Sequence, residues 1–78
     1  MSITTDRLVY WRSPVPETCQ LSGRKITTRF VDGRVPGHSA WACMDHEYFL
    51  SIGGRFGIGR GQLYEKQETS GRWLKTEG

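Results

Sequence analysis

Cys19-Gln20-Leu21-Ser22 is half of a Cys-x-x-Cys knuckle, with Ser22 standing where a second thiolate would be. Cys19 and Cys43 are the only cysteines in 78 residues, so the four-thiolate zinc site that staples many domains of this length cannot form. The length bounds the chain to one domain, near the size at which a single core barely suffices. Ordering such a chain costs about 1.5 kcal/mol per residue, on the order of 100 kcal/mol in all. With neither a metal nor a disulfide framework, stability has to come from packing and from a partner.

Composition decides what that packing can use. Hydrophobic residues make up only 36% of the chain, but three Trp, three Tyr and three Phe are available, and each aromatic can bury about 150–250 Å². A small, aromatic-rich core is the expected result. The formal charge of +3 favours acidic partners, yet eight Asp and Glu are spread among eleven Lys and Arg, as on a surface of mixed sign. No run approaches the ~18 apolar residues of a membrane span, and the polar start Met1-Ser2-Ile3-Thr4-Thr5-Asp6 lacks the apolar segment of a signal peptide. These features predict a cytoplasmic protein with no membrane partner and, in that reducing compartment, free thiols.

Periodicity predicts a β-rich single domain. Arg7-Leu8-Val9-Tyr10-Trp11-Arg12 has strand character and ends at Ser13-Pro14-Val15-Pro16, which cannot continue a ladder. Residues 1–18 are therefore expected as an edge strand or arm, and 19–78 as the β domain. A tight turn is expected from Cys19 to Gly23. Ile26 to Asp32 alternates so that Ile26, Thr28 and Phe30 share one face. Asp32-Gly33 favours a reversal, and Ser39 to Met44 returns as the antiparallel partner around a long tip containing Pro36-Gly37-His38. Trp41, flanked by Ala40 and Ala42, has the pattern of a tightly packed core position. Asp45 is a candidate N-cap for a short helix from His46 to Ile52, stopped by Gly53-Gly54. Residues 53–61 hold five of the ten glycines, with Phe56 and Ile58 as anchors of the loop. A second hairpin is expected from Gln62 to Gln67 and Arg72 to Lys75 around Glu68-Thr69-Ser70-Gly71.

The chemistry-bearing residues are few. Cys19, Cys43 and His46 are weak metal candidates, because Cys43-x-x-His46 has a spacing zinc accepts but no fourth ligand is evident; no metal and no cofactor is expected. The glycine loop lacks the Lys-Ser or Lys-Thr of a phosphate-binding loop and precedes a strand rather than a helix. Its Arg55 and Arg60, with Phe56 to stack and Arg24, Lys25 and Arg29 nearby in sequence, could serve nucleic acid, although +3 is modest for that task. His38 and His46 have no evident nucleophile partner, and no paired carboxylates are visible, so no enzymatic activity is expected.

One resemblance extends this reading. Cys19-x-x-Ser22, Ile26-Thr27, Phe30-Val31-Asp32-Gly33, Trp41-Ala42-x-Met44, Gly57-Ile58-Gly59-Arg60-Gly61-Gln62-x-Tyr64-Glu65-Lys66-Gln67 and Gly71-Arg72-Trp73-x-Lys75 resemble a family of small phage-encoded zinc-ribbon-like proteins over residues 19–78. The resemblance implies antiparallel hairpins with two metal knuckles, which fall here on Cys19, Ser22, Asp45 and Tyr48, so that three of four ligands are missing. It also implies phage origin. The expectation is a metal-free, zinc-ribbon-like scaffold that binds other proteins in the host cytoplasm or the virion, as a capsid-decorating or stabilising subunit, because open strand edges and aromatic surface would be covered by an assembly. An inhibitor docking on a host defence or polymerase protein, and a small nucleic-acid-binding module, are the alternatives. Arg55, Phe56, Ile58 and Arg60 of the loop, with Tyr10 and Trp11 of the arm, are the residues expected to meet a protein partner or a further copy of the chain.

Overall fold

The computed structural model describes residues 8–78. They form one small β-rich domain, a four-stranded antiparallel sheet with a single short helix. In chain order the elements are β1 (Arg29–Arg34), β2 (Trp41–Met44), α1 (His46–Ser51), β3 (Gly61–Lys66) and β4 (Trp73–Glu77). The spatial order is β2-β1-β3-β4, with every neighbour antiparallel. Two hairpins are thus joined through β1 and β3, and α1 carries the chain between them.

Strand alternation builds two cores, one on each face. Val31 of β1, Met44 of β2 and Leu63 of β3 cluster with Cys19 and Phe49 under α1. Their neighbours Phe30 and Tyr64 point the other way and cluster with Ile26, joined by Trp11, Val15, Cys43 and Trp73. On that second face the aromatics interlock. Phe30 stacks on Tyr64 with ring centres 5.3 Å apart, and Trp11 stands edge-on to both at 5.2 and 5.3 Å. Such pairs contribute about 0.5–1.5 kcal/mol each beyond their burial.

Both edges of the sheet are partly occupied. On β4, Tyr10 bridges Leu74; the Trp11 N–H donates to the Trp73 carbonyl at 2.9 Å, and the Lys75 N–H to the Val9 carbonyl at 2.8 Å. The described part of the arm is therefore packed along the sheet as part of the domain, while Arg7 lies outside the described residues. On β2, Gln20 plays the part of a neighbouring strand. Its Oε1 accepts the Cys43 N–H at 2.8 Å, and its own N–H donates to the Cys43 carbonyl at 3.0 Å. The expectation of open edges is narrowed by these bonds, which consume some of the groups that another strand would need.

Several local expectations change for physical reasons. Asp32-Gly33 does not reverse the chain but continues β1, opposite Cys43 and Ala42. A Cβ on Gly33 would stand 2.7 Å from the Phe49 ring, so glycine is needed there for close packing rather than for a turn. The reversal falls at Pro36-Gly37, where Gly37 has φ +81° and the His38 N–H donates to the Val35 carbonyl. Ile26 and Phe30 share the second core, but Thr28, in the bend preceding β1, is exposed. Trp41 is 45% exposed rather than buried: it lies at the outer end of the edge strand, opposite Arg34.

The helix follows its signals closely. The Asp45 carboxylate accepts the Tyr48 N–H at 2.9 Å. After Ser51 the Gly53 N–H donates to the Leu50 carbonyl and the Gly54 N–H to that of Phe49, with Gly53 at φ +87°, a closure that satisfies the last carbonyls. The helix starts beside Met44 and runs back toward the β1–β2 tip, so the loop leaving it arrives at the same end of the sheet as that tip. This topology places the candidate site.

Candidate functional site

At that end, a groove of about 210 Å³ is lined by Arg34, Pro36 and Gly37 from the hairpin, Gly53, Gly54 and Arg55 after the helix, and Gly59 and Arg60 on the returning loop. The parts are tied together by backbone. The Arg34 N–H donates to the Arg60 carbonyl at 2.8 Å, and Gly57 and Gly61 bridge the base of the loop, with the Gly57 N–H on the Gly61 carbonyl at 2.9 Å. Arg34 Nε also donates to the His38 carbonyl at 3.1 Å, bracing the tip. Beneath lies Phe49, whose ring fits against Gly33, Gly54 and Gly61 because none of them carries a side chain.

Charge in the groove is of one sign. No carboxylate lines it, and the side-chain ion pairs among the described residues belong to Arg24, which reaches Asp45 at 3.6 Å and Glu47 at 3.3 Å. Arg24, Lys25 and Arg29, expected near the loop arginines, sit elsewhere: Arg24 on the helix acids, Lys25 bridged to Thr18, and Arg29 Nη1 3.5 Å from His46 Nδ1. Sequence reasoning missed Arg34, Pro36 and Gly37. The available signal was a second Gly-containing tip beside an arginine, but sequence distance separates it from residues 53–60.

The other candidate residues are dispersed. Arg55 and Arg60 meet at the groove. Phe56 turns inward, 5.4 Å from Phe49 and 5.9 Å from His46, and so anchors the loop. Ile58 does not: at 94% exposure it projects from the loop, correcting the expectation that it pins the backbone. Tyr10 lies beyond β3 on the β4 edge, its ring 3.8 Å from the Arg72 guanidinium carbon, and Trp11 fills the aromatic core.

The weak metal candidates are not brought together either. Cys19 and Cys43 serve cores on opposite faces of the sheet, and among the described residues no three His, Cys, Asp or Glu side chains converge as a metal site. The four knuckle positions form two hydrogen-bonded turns. The Ser22 N–H donates to Cys19 Sγ at 3.3 Å, as the Tyr48 N–H does to the Asp45 carboxylate, and Tyr48 packs against the core that contains Cys19. Burial pushes the Cys19 thiol upward, but the Ser22 hydroxyl and the N–H groups of Ser22, Asp45 and Leu21 outweigh it and hold it below its ordinary value. Cys43 is moved the opposite way, by burial and then by the negative charge of Asp32, its partner across the ladder.

Compared with protein-family models, with curated proteins and with solved structures, the chain matches none of them.

Proposed function

We propose that this chain is a non-enzymatic protein-binding module that docks through the end of the sheet where hairpin tip and glycine loop meet. The observation that carries the reading is Ile58, an aliphatic side chain 94% exposed on a loop whose base is bridged and whose interior is anchored by Phe56. Large apolar groups on braced loops suit insertion into a partner's pocket at little cost in ordering entropy. At the same end of the sheet stand residue types enriched at interface centres, Trp41 opposite Arg34 and the three arginines that line the groove, which favour a partner with an acidic rim. Strand addition is a poor mode for this chain, because its edges are partly occupied; side chains would make the contact. An aliphatic tip stacks poorly on bases, which favours protein over nucleic acid. A phage virion subunit remains the setting proposed with this reading, and a docking inhibitor its rival.

The test is recovery of a partner by the wild-type protein and by Ile58→Asp from infected-cell extracts, with the exposed Leu50→Asp as control. The expected result is a partner retained by wild type and control and lost by Ile58→Asp. Recovery with particles in many copies would support the virion setting, and recovery with a host protein the inhibitor. Equal retention by all three chains, or sub-micromolar wild-type affinity for mixed-sequence nucleic acid at physiological salt, would overturn the docking reading.

A further inference from the structure

We propose that the groove between the hairpin tip and the glycine loop is an oxyanion site that takes a phosphate dianion, free or as a monoester. Arg34, Arg55 and Arg60 come from three separate segments, yet all line one groove of about 210 Å³ that no carboxylate lines. None of the three arginines makes a side-chain ion pair among the described residues, so their charge at this end of the sheet is left for an anion to meet. The walls are otherwise small. Gly37, Gly53 and Gly59 have φ of +81°, +87° and +75°, with nothing within 4 Å of where a Cβ would stand, so a ligand can approach the backbone closely. The N–H groups of Gly37, Arg55 and Gly59, one on each segment that lines the groove, donate to no backbone carbonyl of the described residues and are open to an acceptor.

The number of guanidinium groups selects the anion. One arginine fork satisfies both oxygens of a carboxylate, whereas three forks suit the three terminal oxygens and double charge of a phosphate monoester. The site differs from a phosphate-binding loop in that side chains from both tips supply the charge and no helix begins there. The inference goes beyond docking through Ile58, because the isolated protein should bind phosphate with no partner present.

The group could arrive as free phosphate or on a phosphorylated side chain, and titrations followed by backbone amide NMR distinguish them. Inorganic phosphate, a phosphoserine peptide and its unphosphorylated counterpart are each added at constant ionic strength. The expected result is saturable movement of the amides of Gly37, Arg55 and Gly59 with phosphate, with the phosphopeptide, or with both, but not with the plain peptide. Arg55→Ala/Arg60→Ala should weaken binding at least about tenfold, and the doubly Lys-substituted chain, which keeps charge but loses the fork, should fall between. Lys25→Ala, which removes a charge elsewhere, should change it less than about twofold. Movement spread over all basic residues without saturation, equal weakening by Lys25→Ala, or tighter binding of an oligonucleotide than of either phosphate source would overturn the proposal. Because Ile58→Asp leaves the three arginines in place, its failure to alter partner recovery would count against docking alone.

Discussion

At the scale of single residues, the same amino-acid type does different work according to its neighbours. Gly33, Gly54 and Gly61 are side-chain-free because the Phe49 ring lies against them, while Gly37, Gly53 and Gly59 are glycine because of positive φ. Sequence alone cannot tell these uses apart, which is why Gly33 reads as a turn residue and proves to be strand. Asp32 is the other instructive residue. It lies in mid-strand between Cys43 and Gln62, and burial holds its carboxyl above the ordinary value. Native Asp32 therefore binds its proton more tightly than the unfolded chain does. Its contribution to stability is present below the unfolded pKa and is lost as pH rises through the raised native pKa. Asp32→Asn should raise the melting temperature at neutral pH and flatten its acid-range dependence on pH. It should also let Cys43 titrate lower, so that thiol-reagent modification at neutral pH speeds up. A neutral-pH melting temperature at or below wild type would refute this account.

Among the elements, α1 shows how far local signals reach. Its cap, start and glycine stop were legible because each depends on residues within a few positions, and the helix runs from His46 to Ser51. The second hairpin was legible for the same reason, its turn closed by the Gly71 N–H on the Gln67 carbonyl. What escaped was non-local: β1 begins only at Arg29, and Arg34 joins Arg55 and Arg60 through a topology that no short spacing encodes. A six-residue helix has little stability of its own, so its cap matters out of proportion to its length. Asp45→Ala removes the bond to the Tyr48 N–H and the Arg24 contact, and should destabilise the protein by about 0.5–2 kcal/mol in denaturant unfolding. Asp45→Asn, which keeps a capping oxygen, should recover most of the loss.

For the molecule as a whole, the sheet separates two small cores, and the outer end of β2 lies beyond both. Trp41 stands there, 45% exposed, although flanking alanines suggest a packed position. A buried tryptophan would lose about 3–5 kcal/mol on truncation to alanine, but a surface position should lose about 0.5 kcal/mol. Trp41→Ala should therefore keep a cooperative, near-native thermal transition, and acrylamide should quench Trp41 more readily than Trp11 in single-tryptophan variants. Aromatic content and strand periodicity made the β-rich domain readable, but which tryptophan lies outside depends on where β2 ends and what covers it. The antiparallel order has a practical corollary. β3 leaves the groove end and reaches the exposed Glu68-Thr69-Ser70-Gly71 turn at the opposite end. A fluorophore or surface-immobilisation handle placed in that turn would hold the protein with its arginines facing the solution, ready for a sensor measurement.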